Sequence, residues 1–227
     1  MSVSEVLGVD GCPGGWIGAL VDRDGGVEWR LFPDARAILA VDSRATGIDI
    51  PIGLPTVGPR SCDVAARRLL GPRRSSVFPA PVRTVLGAAT YGDACALSRA
   101  ACGRALARQT WNLVPRIADV DAVINPRLQS RVVEVHPEVS FARLAGAVLP
   151  SKRTAAGRSA RLRALAGWIA DPEAALRGAP RPARPDDALD ALVAAWSARR
   201  WHKGEAEMLP ADDTPRDTRG LRMEIVF

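Results

Sequence analysis

Val6–Leu20 reads VLGVDGCPGGWIGAL: a short apolar run, an aspartate, a glycine-rich turn and a second apolar run. Four to eight apolar residues bounded by turn formers are the pattern of a buried strand, and the second run from Trp16 to Val21 has the same character. Gly14 and Gly15 let the chain reverse tightly, so the stretch predicts a hairpin. Asp10 is the feature that needs explaining. A carboxylate buried without a partner costs several kcal/mol, which places Asp10 where the strand opens to solvent, beside a metal ion or another cation. The plainer alternative is an aspartate hydrogen-bonding its own turn.

Outward from the hairpin, Asp22–Gly26 is a turn and Val27–Phe32 a third strand, making an antiparallel meander. Asp34 is placed to cap a short helix over Ala35–Val41. Ala45–Leu54, ATGIDIPIGL, is a second short apolar run ending in an aspartate, Asp49. Pro51 cannot donate to a sheet ladder, so the strand stops there. Two strand-terminal aspartates in one small chain are harder to attribute to chance than one.

Residues 55–128 change character. Between Arg60 and Arg83 there are six arginines and one acid, Asp63. Proline and glycine there forbid a continuous helix, which leaves several arginines on a loop. The guanidinium groups of Arg73, Arg74 and Arg83 with the hydroxyls of Ser75 and Ser76 suit phosphate oxygens; a solvated basic loop is the alternative. Tyr91–Gln109 and Val114–Ile124 read as helices, with Gln109, Trp111 and Asn112 on the connection between them. Val132–Phe141, VVEVHPEVSF, returns to strand character, with Glu134 and His136 alternating onto one face and Pro137 ending the strand. Glu134 is a third acid at a strand end. His136 could orient a carboxylate or contact a phosphate, and Glu138 could join a site or cap the next helix.

Ser151–Arg163 is basic again, and Lys152 is counted with the substrate-binding set. Leu162–Ile169 predicts a helix, Asp171–Pro185 a surface linker, and Asp186–Trp201, DDALDALVAAWSARRW, the final helix. Asp187 and Asp190 stand three apart on one face of it, where like charges repel unless a cation sits between them. The tail from Ala211 adds an edge strand or covers the sheet, with no chemistry read in it.

Composition sets the outer limits. With 227 residues, 47% hydrophobic, the chain can bury one good core, and it reads as a single domain over 1–227 in which 55–128 is a helical, arginine-bearing insertion. A formal net charge of +6 favours polyanionic partners, nucleic acid above all. Cys12, Cys62, Cys95 and Cys102 are scattered, and with two histidines they do not make a zinc site. No charged-then-apolar leader precedes Val6 and no apolar run is long enough to span a bilayer, so the expectation is a cytoplasmic protein with no membrane partner.

The order strand-Asp, two hairpin strands, helix, strand-Asp, insertion, strand-Glu and acidic helix is that of a ribonuclease-H-like α/β fold. That fold has a mixed five-stranded sheet, 3-2-1-4-5, flanked by helices, with the insertion after the fourth strand. GVDGCPGGW, IDIPIGLP, LGPRRSSVFPAP, VVEVHPEVSF and DDALDAL together resemble the family of predicted ribonuclease-H-like nucleases known as domain-of-unknown-function family 429, over nearly the whole chain. The end of the chain also resembles bacterial Holliday-junction resolvases, whose first-strand Asp, fourth-strand acid and D-x-x-D-A-L helix are matched by Asp10, Asp49, and Asp187 with Asp190. The fourth-strand acid here is Asp where theirs is Glu, and the insertion has no counterpart, so junction specificity is not implied. The acids suggest a two-metal nuclease: Asp10, Asp49, Asp187 and Asp190 on two Mg²⁺ or Mn²⁺ ions, with Glu134 in the metal shell or orienting the water. The rivals are a phosphotransferase of the actin-like ATPase and sugar-kinase class, for whose two-domain form 227 residues are too few, and a nucleic-acid-binding module with an inactive site.

Overall fold

A computed structural model describes residues 5–227; residues 1–4, part of the segment read for a leader, lie outside the described residues. The described residues form two compact units, one from residues 5–49, Arg131–Glu207 and Val226–Phe227, the other from Ile50–Ser130 and Met208–Ile225.

In the first unit the hairpin forms as its sequence predicts. β1 (Val6–Cys12) and β2 (Gly15–Val21) pair antiparallel across Pro13-Gly14, with Cys12 opposite Gly15. Gly14 sits at φ 83°, where proline followed by glycine is the preferred pair of a type II turn. β3 (Val27–Phe32) extends the meander. Asp34 accepts from the Ala37 N–H at 2.8 Å and starts α1 (Ala35–Leu39). This crossover lets β4 (Ala45–Ile48) return parallel to β1, as parallel neighbours require. β5 (Val132–Glu134) adds parallel to β4, giving a mixed five-stranded sheet in the order β3-β2-β1-β4-β5. The α/β class and strand order are those expected from the sequence.

The second unit holds α2 (Ser61–Leu70), α3 (Tyr91–Cys102) and α4 (Arg108–Val123). Two helix boundaries differ from the sequence reading. α3 stops at Cys102 because Gly103 takes a left-handed cap at φ 71°. α4 then starts before Trp111 and runs through Pro115, so Gln109, Trp111 and Asn112 are helical rather than on a connection. The proline removes one backbone hydrogen bond, which packing offsets: Trp111 lies 6.2 Å from the Tyr91 ring, beside buried Val85, Ala94, Leu106 and Val114.

Back in the first unit, the strand read over Val132–Phe141 ends at Glu134. Pro137, whose fixed φ suits the first helical position, opens α5 (Pro137–Ala145), with His136 as the extended residue before it. α6 (Ala155–Leu165) begins well before the expected Leu162, at Thr154, whose hydroxyl accepts from the Gly157 N–H at 3.0 Å. The expected linker Asp171–Pro185 contains α7 (Pro172–Arg177), capped by Asp171. The tail adds no strand to the five-stranded sheet; Val226 makes an isolated parallel bridge to Val135, and Phe227 exchanges two backbone hydrogen bonds with Glu207.

α8 (Pro185–Lys203) covers the sheet with a face of small residues, Ala188, Ala191, Ala194, Ala195 and Ala198, all fully buried. The strands answer with glycines. Gly8 of β1 pairs with Gly47 of β4. A methyl at Gly8 would lie 2.0 Å from the Ala191 carbonyl, and one at Gly47 would lie 2.5 Å from the Ala194 carbonyl. Helix backbone thus rests directly on strand backbone. Ser197 and Ser140, both fully buried, hydrogen-bond at 2.8 Å where α5 meets α8.

Candidate metal centre

The same glycines place the acids. Gly8-Val9-Asp10 and Gly47-Ile48-Asp49 are two Gly-x-Asp triplets on neighbouring parallel strands. Side chains two apart share a face of a strand, so Asp10 and Asp49 stand side by side, one step beyond the glycine floor and on the side that α8 covers. The Asp49 N–H still donates to the Val9 carbonyl at 2.9 Å, which holds the two triplets in register. Asp190, beside Ala191 on α8, is brought down onto them. One carboxylate oxygen from each of Asp10, Asp49 and Asp190 lies within 4.8 Å of the other two.

Asp190 is 2% exposed, whereas Asp10 and Asp49 are half-buried. The Gly11 N–H donates to Asp10 Oδ1 at 2.6 Å. Asp190 Oδ2 accepts from the Lys152 ammonium, and Asp190 Oδ1 is buried with no hydrogen-bond partner. An orphaned carboxylate oxygen beside two more carboxylates is an arrangement that a cation completes.

The electrostatics agree. Burial first, then the charges of Asp49 and Asp190, raise the Asp10 pKa well above its ordinary value, against the pull of Lys152. Burial and Asp190 do the same to Asp49, with smaller contributions from Glu134 and Glu138. Burial pushes Asp190 up to about 6 although Lys152 opposes it. Burial works against the charge on Lys152, and the carboxylates of Asp190, Asp10 and Asp49 outweigh it, holding the ammonium above its ordinary pKa. The three carboxylates are therefore held together against their own repulsion.

The remaining candidates take other places. Glu134 pairs with Ile48, not with Asp49, so the pleat turns it to the opposite face of the sheet, where it is buried. His136 is half-buried at the start of α5, its carbonyl accepting from Val139 and Ser140. Asp187, half-buried one turn before Asp190, accepts from the Arg184 N–H at 2.9 Å, so its carboxylate closes the first turn of α8. Arg73, Arg74, Ser75 and Ser76 lie in the second unit on a 3-10 turn, Gly71–Ser76, with Arg74 and Ser75 exposed. The Ser76 hydroxyl donates to the Arg73 carbonyl at 2.8 Å. Arg83 is bound within that unit by Asp121 at 2.9 Å and by Asp217. Arg60, the first arginine of the basic run, is buried against Asp63 at 2.6 Å.

Sequence reasoning missed two pairs. Glu138 is held by Arg161 through both carboxylate oxygens, at 2.8 and 2.7 Å. Arg161 stands with Gly157 and Leu165 on the buried face of α6, and that four-residue spacing was a readable sign of a buried arginine needing an acid. The Lys152–Asp190 pair, 38 residues apart, carried no such sign.

The family model described as "Protein of unknown function (DUF429)" matches residues 8–215, a span that includes all three carboxylates. No curated protein and no solved structure matches the chain.

Proposed function

Since the chain belongs to the DUF429 family, we propose that its carboxylate centre makes it a metal-dependent nuclease, hydrolysing phosphodiester bonds of DNA or RNA. The observation that carries the reading is the convergence of Asp10, Asp49 and Asp190 from two strands and a helix, with Asp190 Oδ1 lacking a partner. The donor set is all oxygen and anionic, which selects Mg²⁺ or Mn²⁺ over softer ions. A divalent ion there supplies Lewis acidity, lowering the pKa of a bound water and offsetting charge on the leaving oxygen.

The protein's own part is to hold and to screen. Asp10 and Asp49 are presented by a parallel strand pair, and Asp190 by a helix whose backbone packs against Gly8 with no room for a methyl between them. The net reaction adds one water across a P–O ester bond, leaving a phosphate monoester and an alcohol. Exposed Arg74, with Arg73 and Ser75 on the same turn, is suited to backbone phosphates without reading bases. The net charge of +6 fits such a substrate.

The test is cleavage of labelled DNA, RNA, hybrid and branched substrates in Mg²⁺ or Mn²⁺, beside the Asp10→Asn variant. Cleavage that vanishes in the variant supports the reading and names the substrate. Cleavage that survives Asp10→Asn refutes it.

A further inference from the structure

The ligands at the centre do not match two divalent ions. Three carboxylates converge, and one of them is already paired with an ammonium. Lys152 reaches Asp190 Oδ2 with its side chain 32% exposed. Its loop is fixed from below: the buried Arg161 guanidinium donates to the Pro150 carbonyl at 2.8 Å and to the Gly157 carbonyl at 2.9 Å, and the Thr154 hydroxyl donates to the Ser151 carbonyl at 2.8 Å. The ammonium is a built part of the centre.

Among the described residues the carboxylates that converge on one point are Asp10, Asp49 and Asp190. Glu138 is matched by Arg161, Glu134 faces the other side of the sheet, and Asp187 gives one oxygen to the Arg184 N–H, adding its charge near Asp10 without joining the three. The converging ligands therefore suffice for one ion. A second ion, about 3.5–4 Å from the first in two-metal sites, would have to share Asp190 with the Lys152 ammonium and meet its like charge.

We propose that the centre binds a single divalent ion, with Lys152 as the fixed cation in place of a second. This rests on the function proposed above. Asp190 would help to hold the ion through Oδ1, which lacks a hydrogen-bond partner, while Oδ2 stays on Lys152.

The test is the number of Mn²⁺ ions bound per chain, counted by calorimetric titration and by electron paramagnetic resonance of free Mn²⁺. The full-length protein, Lys152→Met and Lys152→Arg are compared, with circular dichroism to check folding. The expected counts are one, two and one. Two ions on the unaltered protein, or one ion at unchanged affinity on Lys152→Met, overturn the proposal and leave the nuclease reading standing. One ion, with the expected counts in both variants but no cleavage of any substrate, keeps this inference and removes the nuclease. No ion on the unaltered protein overturns both. If Lys152→Met does not fold, the counts on the unaltered protein and on Lys152→Arg still decide.

Discussion

Replacing Gly8 with alanine tests how α8 delivers Asp190 to the two strand-end aspartates. The new methyl would stand 2.0 Å from the Ala191 carbonyl oxygen and 2.1 Å from the Ala195 nitrogen, whereas carbon–oxygen contacts settle at about 3.3 Å or more. Both neighbours are helix backbone, so no side chain can rotate away, and α8 must retreat by roughly 1.3 Å to reach that separation. Overpacking a core costs about 1–3 kcal/mol when side chains can adjust; with backbone on both sides we expect the upper end or beyond. Asp190 is adjacent to Ala191, and functional constellations tolerate only about 0.5 Å of displacement, so Mn²⁺ affinity should fall by about tenfold or more. Guanidinium unfolding and Mn²⁺ titration measure the two effects. Gly14→Ala is the control: its φ of 83° is unfavourable for alanine but its methyl meets nothing within 4 Å. That change should cost about 1–2 kcal/mol of backbone strain and leave Mn²⁺ binding intact. A Gly8→Ala protein with the unaltered unfolding midpoint and Mn²⁺ affinity would falsify the account of how the centre is assembled.

Other expectations can be checked on the same material. Asp10, Asp49 and Asp190 have raised pKa values, Asp190 to about 6, so the metal-free native state binds more protons than the unfolded one as pH rises out of the ordinary carboxylate range. The cost of ionising them, burial first and mutual repulsion next, is absent below that range and is incurred as pH rises through each raised native value, about 6 for Asp190; metal-free stability should therefore decline with rising pH, and Asp190→Asn should flatten the decline. Added Mn²⁺ should reverse the trend, because the ion needs the ionised carboxylates. Burial opposes ionisation of Asp217, but N–H groups of Leu54, Leu221 and Arg219 together with Arg83 outweigh it and lower its pKa. Asp217→Asn should therefore destabilise the protein at neutral pH, with the difference shrinking as acid titrates the unaltered carboxyl below its ordinary value; a difference constant with pH would contradict this. Arg161→Met strands the buried Glu138 carboxylate and should cost about 3–5 kcal/mol, most of it recovered in the double variant with Glu138→Gln, as a double-mutant cycle in urea would show. Arg73→Ala with Arg74→Ala should reduce the salt slope of polyanion binding by about one for every phosphate no longer neutralised; an unchanged slope would place phosphate recognition elsewhere.

Most of the sheet was legible in the sequence because its signals are local. Apolar runs bounded by Pro13-Gly14 and by Asp22–Gly26 allow little besides a meander, and the Ala-rich repeat after Asp186 allows little besides a buried helix. Errors arose where one residue supports two structures. Pro137 ends a strand and equally opens a helix, and the helix start read at Val114 falls short of α4 because the turn before it is held by Trp111 packing on Tyr91 of another helix.

The strand-end position of Asp10 and Asp49 was readable from the chain alone, since an aspartate after a short apolar run and before glycine or proline has few other places to be. Whether acids meet is a different matter. Glu134 follows a strand in the same way, yet pairing with Ile48 turns it to the far face, and a shift of one residue is all that separates the two outcomes. Glu138 and Asp187 are acids of the same kind, and their partners Arg161 and the Arg184 N–H engage them before they can join a centre. Lys152 became a member only because Asp190 lies opposite it, 38 residues away. The sheet strands, the final helix and the acids that end the first and fourth strands are legible along the chain, because strand ends, caps and periodicity are short-range. Register, the face each side chain takes and the partner it meets belong to the tertiary structure, because they depend on backbone contacts such as Gly8 against Ala191 that bring together residues far apart along the chain.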